Sequence, residues 1–357
     1  MNTLADILRR RIAHTGPMTL AEYMAECLLH PEHGYYTNET VFGAEGDFVT
    51  APEISQMFGE LLGLALAQAW MDQGAPAPAV LAEAGPGRGT LMSDMLRAMR
   101  PVPGLLDALD IRLVEASPKL RAKQKDTLSN HHVSWLETVR DLPEAPLFFV
   151  ANEFLDALPI RQFVRRGQAW SERLVREDGD RFAVALTEPA PFAELDHRLA
   201  DTRDGDIVEY CPSLPFVVSE IAGRIARNGG LALLVDYGDW RSRGDTFQAV
   251  RDHQPVDPFA APGTADLTAH VDFEAIARVA CAEGTRTTPM VSQGLFLEHL
   301  GITQRAQSLA RAMPNPKAME EHIAAHRRLT HPQEMGSLFK AIAIHPTGAP
   351  TPAGFET

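Results

Sequence analysis

Cysteine is scarce in this 357-residue chain: Cys27, Cys211 and Cys281 lie far apart, form no Cys-x-x-Cys pair and leave an odd count. Neither a zinc ribbon nor a disulfide framework can be built from them, and a reducing compartment fits best. Long apolar runs are missing too; no stretch reaches eighteen apolar residues, so no membrane-spanning helix is expected. Basic residues are outnumbered, 33 Lys plus Arg against 47 Asp plus Glu, for a net charge of −14. Such a chain repels a phosphate backbone, which excludes nucleic acid as the main partner and favours a cationic substrate weakly. No serine sits in a Gly-x-Ser-x-Gly elbow and no lysine follows a phosphate-type glycine loop, so hydrolase and kinase chemistries lose their support. His322 and His326 stand one helical turn apart but lack a third ligand at a sensible spacing, and no metal is expected. The N-terminus has no apolar core long enough for a secretory signal. Its Arg9, Arg10 and Arg11 sit in an amphipathic helical pattern with Asp6, which argues against a transit peptide and leaves the cytoplasm as the expected compartment.

What remains is a globular composition, 45% apolar and 22% charged, long enough to bury a large core. From residue 79 onward, apolar runs at 80–84, 111–115, 133–136, 147–151, 231–235, 287–291 and 339–344 alternate with helical patterns. That alternation predicts an α/β fold, a Rossmann-like and mainly parallel seven-stranded sheet covered by helices. Helices are expected over Thr90–Met99, over 57–71, from Pro118 behind a Ser117 cap, and over 217–227. Residues 1–78 read as a helical lid or cap, 79–345 as the main domain, and 346–357 as a flexible tail. Two insertions are expected, a β element at about 160–210 and a proline-broken loop over the site at about 240–270.

The first of those strands runs straight into Glu83-Ala84-Gly85-Pro86-Gly87-Arg88-Gly89-Thr90. Glycine lets the backbone turn sharply and approach a ligand, and the helix behind it offers unpaired N–H groups. The spacing is Gly-x-Gly-x-Gly, with Thr90 where a dinucleotide fingerprint would place its last glycine. An acid at the strand end suits a ligand carrying a cation near a sugar, as S-adenosyl-L-methionine does and a pyrophosphate does not.

Ligands in such sheets sit beyond the carboxyl ends of the strands, so the polar residues there are the candidates. Glu115 is placed to accept hydrogen bonds from ribose hydroxyls, or is a solvated strand-end carboxylate. Trp135 ends the third strand, and Asp236 the fifth. Asn152, Glu153 and Asp156 interrupt an apolar run at the fourth. They read either as a clamp for a cationic acceptor such as a guanidinium or as a helix cap with structural salt bridges. In the segment 46–56, Thr50, Pro52 and Glu53 are explained by helix capping, whereas Asp47 and Gln56 are candidates for a lid facing the ligand; Asp266 is a similar case.

Gly16-Pro17-Met18-Thr19-Leu20-Ala21-Glu22-Tyr23-Met24, His33-Gly34-Tyr35-Tyr36, residues 46–60, 83–90 and 152–159, Asp236-Tyr237-Gly238, and residues 263–273 together resemble the motifs of the MidA-like methyltransferases. This family is similar to the mitochondrial protein arginine methyltransferase needed for assembly of respiratory complex I, and the resemblance runs from about residue 15 to about residue 345. It implies a class I S-adenosyl-L-methionine-dependent fold, with Glu83, Gly85, Pro86, Gly87, Gly89, Thr90, Glu115, Trp135, Asn152, Asp47 and Gln56 around the donor. Glu153, Asp156 and Asn152 would then act on the acceptor. Family members commonly carry His where Asn152 stands, which ranks it below the two acids. The implied partner is a protein substrate such as a complex I subunit, in the bacterial cytoplasm or the mitochondrial matrix; a homodimer is compatible with the sequence. Two other functions fit the same residues: a donor-binding assembly factor with little turnover, and a small-molecule methyltransferase.

Overall fold

The computed structural model describes residues 3–37 and 50–356. The chain forms two compact units. One combines residues 50–155, Pro215–Trp240 and 271–356; the other combines residues 3–37, Asp156–Leu214 and Arg241–His270. This grouping cuts across the linear division at residue 78, because residues 50–78 belong with the sheet while the N-terminal helices belong with both insertions.

The first unit is built on the alternating pattern. Its main strands are β1 (Ala79–Ala84), β2 (Leu109–Val114), β3 (Val133–Leu136), β4 (Leu147–Asn152), β5 (Gly230–Asp239), β6 (Thr285–Thr287) and β7 (Phe339–Pro346), in spatial order β6-β7-β5-β4-β1-β2-β3, and the two-residue strand Val271–Asp272 pairs in parallel with the end of β5. Pairing is parallel from β5 through β3 and antiparallel around β7. Every residue of β1 and β4 is buried, as a sheet covered on both faces requires. The expected strand at 287–291 is instead two short ones, β6 and Val291–Ser292, both against β7, because Pro289 has no N–H to give a continuous ladder.

Helix α1 (Gln56–Asp72) packs on α2 (Thr90–Met99). A Cβ at Gly59 would stand 2.7 Å from the Asp94 Cβ, and one at Gly63 would stand 2.8 Å from the Met95 Cα, so the Gly-x-x-x-Gly face brings the backbones close. Glu60, buried, ties the pair by accepting from Arg97 (3.0 Å) and from Arg305 (2.8 and 3.0 Å). The start of α2, and with it the glycine loop, is held by this packing. Helix α3 (Pro118–Thr127) begins as the sequence predicts, with the Ser117 hydroxyl accepting from the Leu120 N–H. The C-terminal tail is anchored, contrary to the loose end that its composition suggested: Phe355 is buried, 4.9 Å from Phe296 between ring centres. One large aromatic outweighs several prolines and glycines.

The second unit carries the expected β insertion, a sheet in which Met18–Thr19, Ala169–Asp178, Arg161–Arg166 and Ile207–Tyr210 lie in that order, with Arg181–Leu186 also on Ala169–Asp178. Leu4, Leu8 and Ile12 of the N-terminal helix Leu4–Thr15 fall in the same core as Val175, Phe182 and Leu267. The region 240–270 is not a bare loop. Gln248–Arg251 pairs with Gln254–Val256 and Asp266–Thr268 in a small antiparallel sheet, since the prolines fall at strand edges and between strands.

Candidate active site

The chain leaves β1 through a loop whose three glycines are all left-handed, Gly85 at φ +64°, Gly87 at +50° and Gly89 at +82°. An L side chain costs roughly 1–2 kcal/mol in that region. A Cβ at Gly85 would press on the Phe154 ring at 3.0 Å, whereas one at Gly87 would meet nothing within 4 Å among the described residues. Gly85 is thus demanded by the protein, and Gly87 keeps one side of the loop open. Helix α2 has no side-chain cap of its own at Gly89. The buried Glu83 carboxylate at the end of β1 has its Oε2 without a partner among the described residues. Burial pushes Glu83 up to about 8, the Met92 N–H opposes that, and the charge of Glu115 adds to it.

Glu115, beyond β2, accepts from the Ser117 N–H (2.8 Å) and the Gln124 amide (3.1 Å). Burial raises its pKa against those two bonds. Gln124 is fully buried on α3; it also donates to the Gly87 carbonyl (2.8 Å) and accepts from the Trp135 indole (2.8 Å). The sequence reading missed Gln124. Its only signal was a polar residue four positions after Leu120 on a buried face of an otherwise polar helix.

At the end of β4, Asn152 is buried and its amide donates to Glu153 Oε1 (3.0 Å). The opposite orientation would set two acceptors face to face, so Asn152 Oδ1 is the atom left over, buried and without a partner among the described residues. Glu153 itself holds φ +52°, and its Oε1 also accepts the Ala51 N–H (3.1 Å). Burial raises its pKa, while Ala51 and Asn152 lower it. Backbone strain of this kind persists where the surroundings over-determine it. Here they do, because the buried Asp236 carboxylate at β5 accepts from Phe154 (3.2 Å), Leu155 (2.9 Å) and Tyr237 (2.9 Å). Asp236 thus shapes the turn after β4.

Glu53 does more than end a helical turn. Within Ala51–Ile54 it accepts from the Thr90 hydroxyl (2.6 Å) and pairs with Arg88 (3.5 Å), joining this turn to the glycine loop. The Thr50 side chain makes no cap bond, and Ser55 interrupts the helix and caps α1 instead, through the Met57 N–H. Gln56 is exposed and accepts from Arg97 at 3.4 Å. Asp47 lies outside the described residues. Asp156 falls in the second unit, where its carbonyl accepts the Ala269 N–H (3.0 Å). In that unit the Tyr36 hydroxyl donates to Asp266 (2.8 Å); burial and then the charges of Asp266 and Asp156 hold the phenol well above its usual pKa. His322 and His326 point to local partners, the Ala306 carbonyl (2.9 Å) and the Thr303 hydroxyl (3.1 Å).

The first unit therefore gathers Glu83, the glycine loop, Thr90, Glu115, Trp135, Asn152 and Glu153 at one sheet edge, beyond the carboxyl ends of β1 to β4. Buried acceptors that lack donors among the described residues, beside a glycine loop, fit a ligand that brings an ammonium group and hydroxyls of its own. S-adenosyl-L-methionine has both.

Comparison with known proteins agrees with that chemistry. Residues 61–291 match the family model Methyltransf_28, described as S-adenosyl-L-methionine-dependent methyltransferase. Human "Protein arginine methyltransferase NDUFAF7, mitochondrial" is 37% identical over 97% of this chain and 84% of its own length. The Drosophila melanogaster homologue is 36% identical over 96% and 85%. A crystal structure of a Burkholderia thailandensis protein bound to S-adenosyl-homocysteine superposes with a TM-score of 0.83 at 32% identity, covering 98% of this chain and 93% of that one. With the sheet order, the glycine loop and these likenesses in agreement, the chain belongs to the Methyltransf_28 family and is an S-adenosyl-L-methionine-dependent methyltransferase of class I fold.

Proposed function

We propose that this enzyme is a protein arginine N-methyltransferase whose acceptor is a subunit of respiratory complex I or a similar protein. The observation that carries the proposal is the Glu153 carboxylate at the end of β4, half-buried and held at φ +52° beside the Asn152 amide that donates to it. Relatives that bear the name protein arginine methyltransferase at 37% identity support it. So does the net charge of −14, which favours a cationic acceptor. Because those relatives are named as mitochondrial, the compartment we propose is the matrix for a eukaryotic chain and the cytoplasm for a bacterial one.

In this reading Glu83 and Asn152 hold the amino-acid end of the donor, Glu115 its ribose, and the glycine loop the turn between them. When bound, S-adenosyl-L-methionine supplies a methyl group on a sulfonium sulfur, which leaves as a neutral thioether once a nitrogen takes the methyl. Glu153 orients the guanidinium and takes up the proton that its nitrogen sheds; a carboxylate whose pKa is raised by burial is suited to that role. Glu153→Gln should therefore lower transfer roughly 10- to 50-fold, the worth of weakened charge-assisted hydrogen bonds. Calorimetry should show S-adenosyl-homocysteine affinity within about twofold of wild type, as no bond made only in the transition state contributes to it. A collapse of that affinity would move Glu153 to the donor side.

The acceptor is tested by incubating the protein with methyl-labelled donor and cell lysate. A labelled protein band with methylated arginine by mass spectrometry is the expected result, and the methylation pattern follows from the same spectra. Label in small metabolites would make the enzyme a small-molecule methyltransferase. Retained donor binding without any label would make it a donor-binding assembly factor.

A further inference from the structure

Gln124 joins three parts of the donor edge. Its Nε2 donates to the Gly87 carbonyl in the loop and to Glu115 Oε2 beyond β2, and its Oε1 accepts from the Trp135 indole N–H on β3. The partners fix the amide's orientation, since a carbonyl and a carboxylate only accept and an indole N–H only donates. Two donors and one acceptor on a single planar group, at this reach from a helix, are met by glutamine. Glutamate has no N–H, asparagine is one carbon shorter, and leucine or methionine would leave all three partners unsatisfied. The side chain is fully buried, so water cannot substitute for any of the three bonds. Gly89 packs on it, where a Cβ would lie 3.6 Å from the Gln124 Cα.

We infer that Gln124 is a positioning residue for the adenosine half of the donor, setting the aim of Glu115, the edge of Trp135 and the backbone of Gly87 as one hydrogen-bonded unit. The inference rests on the donor-site assignment above. It separates the edge into two halves, the Gln124 network for adenosine and Glu83 with Asn152 for the amino-acid end. A ligand that carries only the adenosine half must therefore feel the loss of Gln124 as strongly as the whole product does.

The test uses the full chain, calorimetry, and two probes, S-adenosyl-homocysteine and 5′-methylthioadenosine, which lacks the amino-acid end. Gln124→Leu should weaken both by the same factor, roughly 10- to 50-fold, because buried groups lose their partners. Gln124→Glu, of equal size, places an acceptor against the Gly87 carbonyl and a second carboxylate against Glu115. Its affinity for methylthioadenosine should rise roughly tenfold or more between pH 8 and pH 6, as the new carboxyl gains a proton and becomes a donor. Wild type should show no such rise. Unchanged affinity in a folded Gln124→Leu protein, or a loss confined to S-adenosyl-homocysteine, overturns the inference. If the leucine variant does not fold, the pH series of the glutamate variant decides alone, and a flat series overturns it. Gly87→Val tests the underlying assignment separately: if it keeps donor affinity the donor site is misplaced, whereas if it loses affinity while both Gln124 variants keep theirs, only the role of Gln124 fails.

Discussion

Gly87→Val should lose S-adenosyl-homocysteine binding by about 1,000-fold, near 4 kcal/mol, while remaining folded. Two effects act on this residue, and they separate cleanly. Its φ of +50° makes any L side chain strained, which costs roughly 1–2 kcal/mol of stability and more for a β-branched residue. No atom of the described residues beyond its chain neighbours lies within 4 Å of the position its Cβ would take, so these residues leave room for the added carbons. At the proposed donor site the ligand has none, because a glycine there lets the backbone approach it. Gly167→Val supplies the control. Gly167 has φ +59° and equally open surroundings, but it lies in the hairpin between Arg161–Arg166 and Ala169–Asp178 of the second unit. It should lower the melting temperature comparably and leave calorimetric affinity untouched. Equal affinities for the Gly87 variant and wild type would refute the assignment of this loop to the donor.

The contrast between these two glycines shows how much the sequence could tell. The period of the apolar runs located β1 to β5 and the glycine spacing located the loop, because burial on both faces and positive φ act through residue type alone. Thr90–Met99 and Val133–Leu136 fall where the pattern places them. Gln124 was invisible because its meaning comes from Gly87, Glu115 and Trp135, 37, 9 and 11 residues away. Glu53 was misread in part for the opposite reason: a local capping rule explained it so well that its bond to Thr90 had no signature. Asp236 illustrates a third limit. The sequence marks it as a strand-end carboxylate like Glu115, yet its three backbone partners make it the brace of the turn at Glu153. The tail failed for a simpler cause, since average composition hid a single buried Phe355.

Glu83 makes stability and donor binding respond to pH with opposite signs. Its pKa in the folded protein is pushed up to about 8 from an ordinary 4.5, chiefly by burial. The folded state therefore holds the proton more tightly than the unfolded one. Stability from this group is fully present below pH 4.5 and is lost as pH rises towards 8, with a limiting slope of about 1.4 kcal/mol per pH unit. A ligand ammonium at Oε2 favours the ionised form, so S-adenosyl-homocysteine affinity should climb between pH 6 and pH 8 while the free protein's melting temperature falls. Glu83→Gln keeps the size of the side chain and removes the titration. It should flatten both curves, raise the melting temperature at pH 8, and weaken donor binding there by roughly 30- to 5,000-fold, the range for removing one partner of a buried charge pair. Thermal melts and calorimetry across the same buffers measure both. A melting curve that falls with pH beside a level affinity would leave Glu83 without a part in donor binding and send the ammonium to Asn152 Oδ1, a buried acceptor at the same edge with no partner among the described residues.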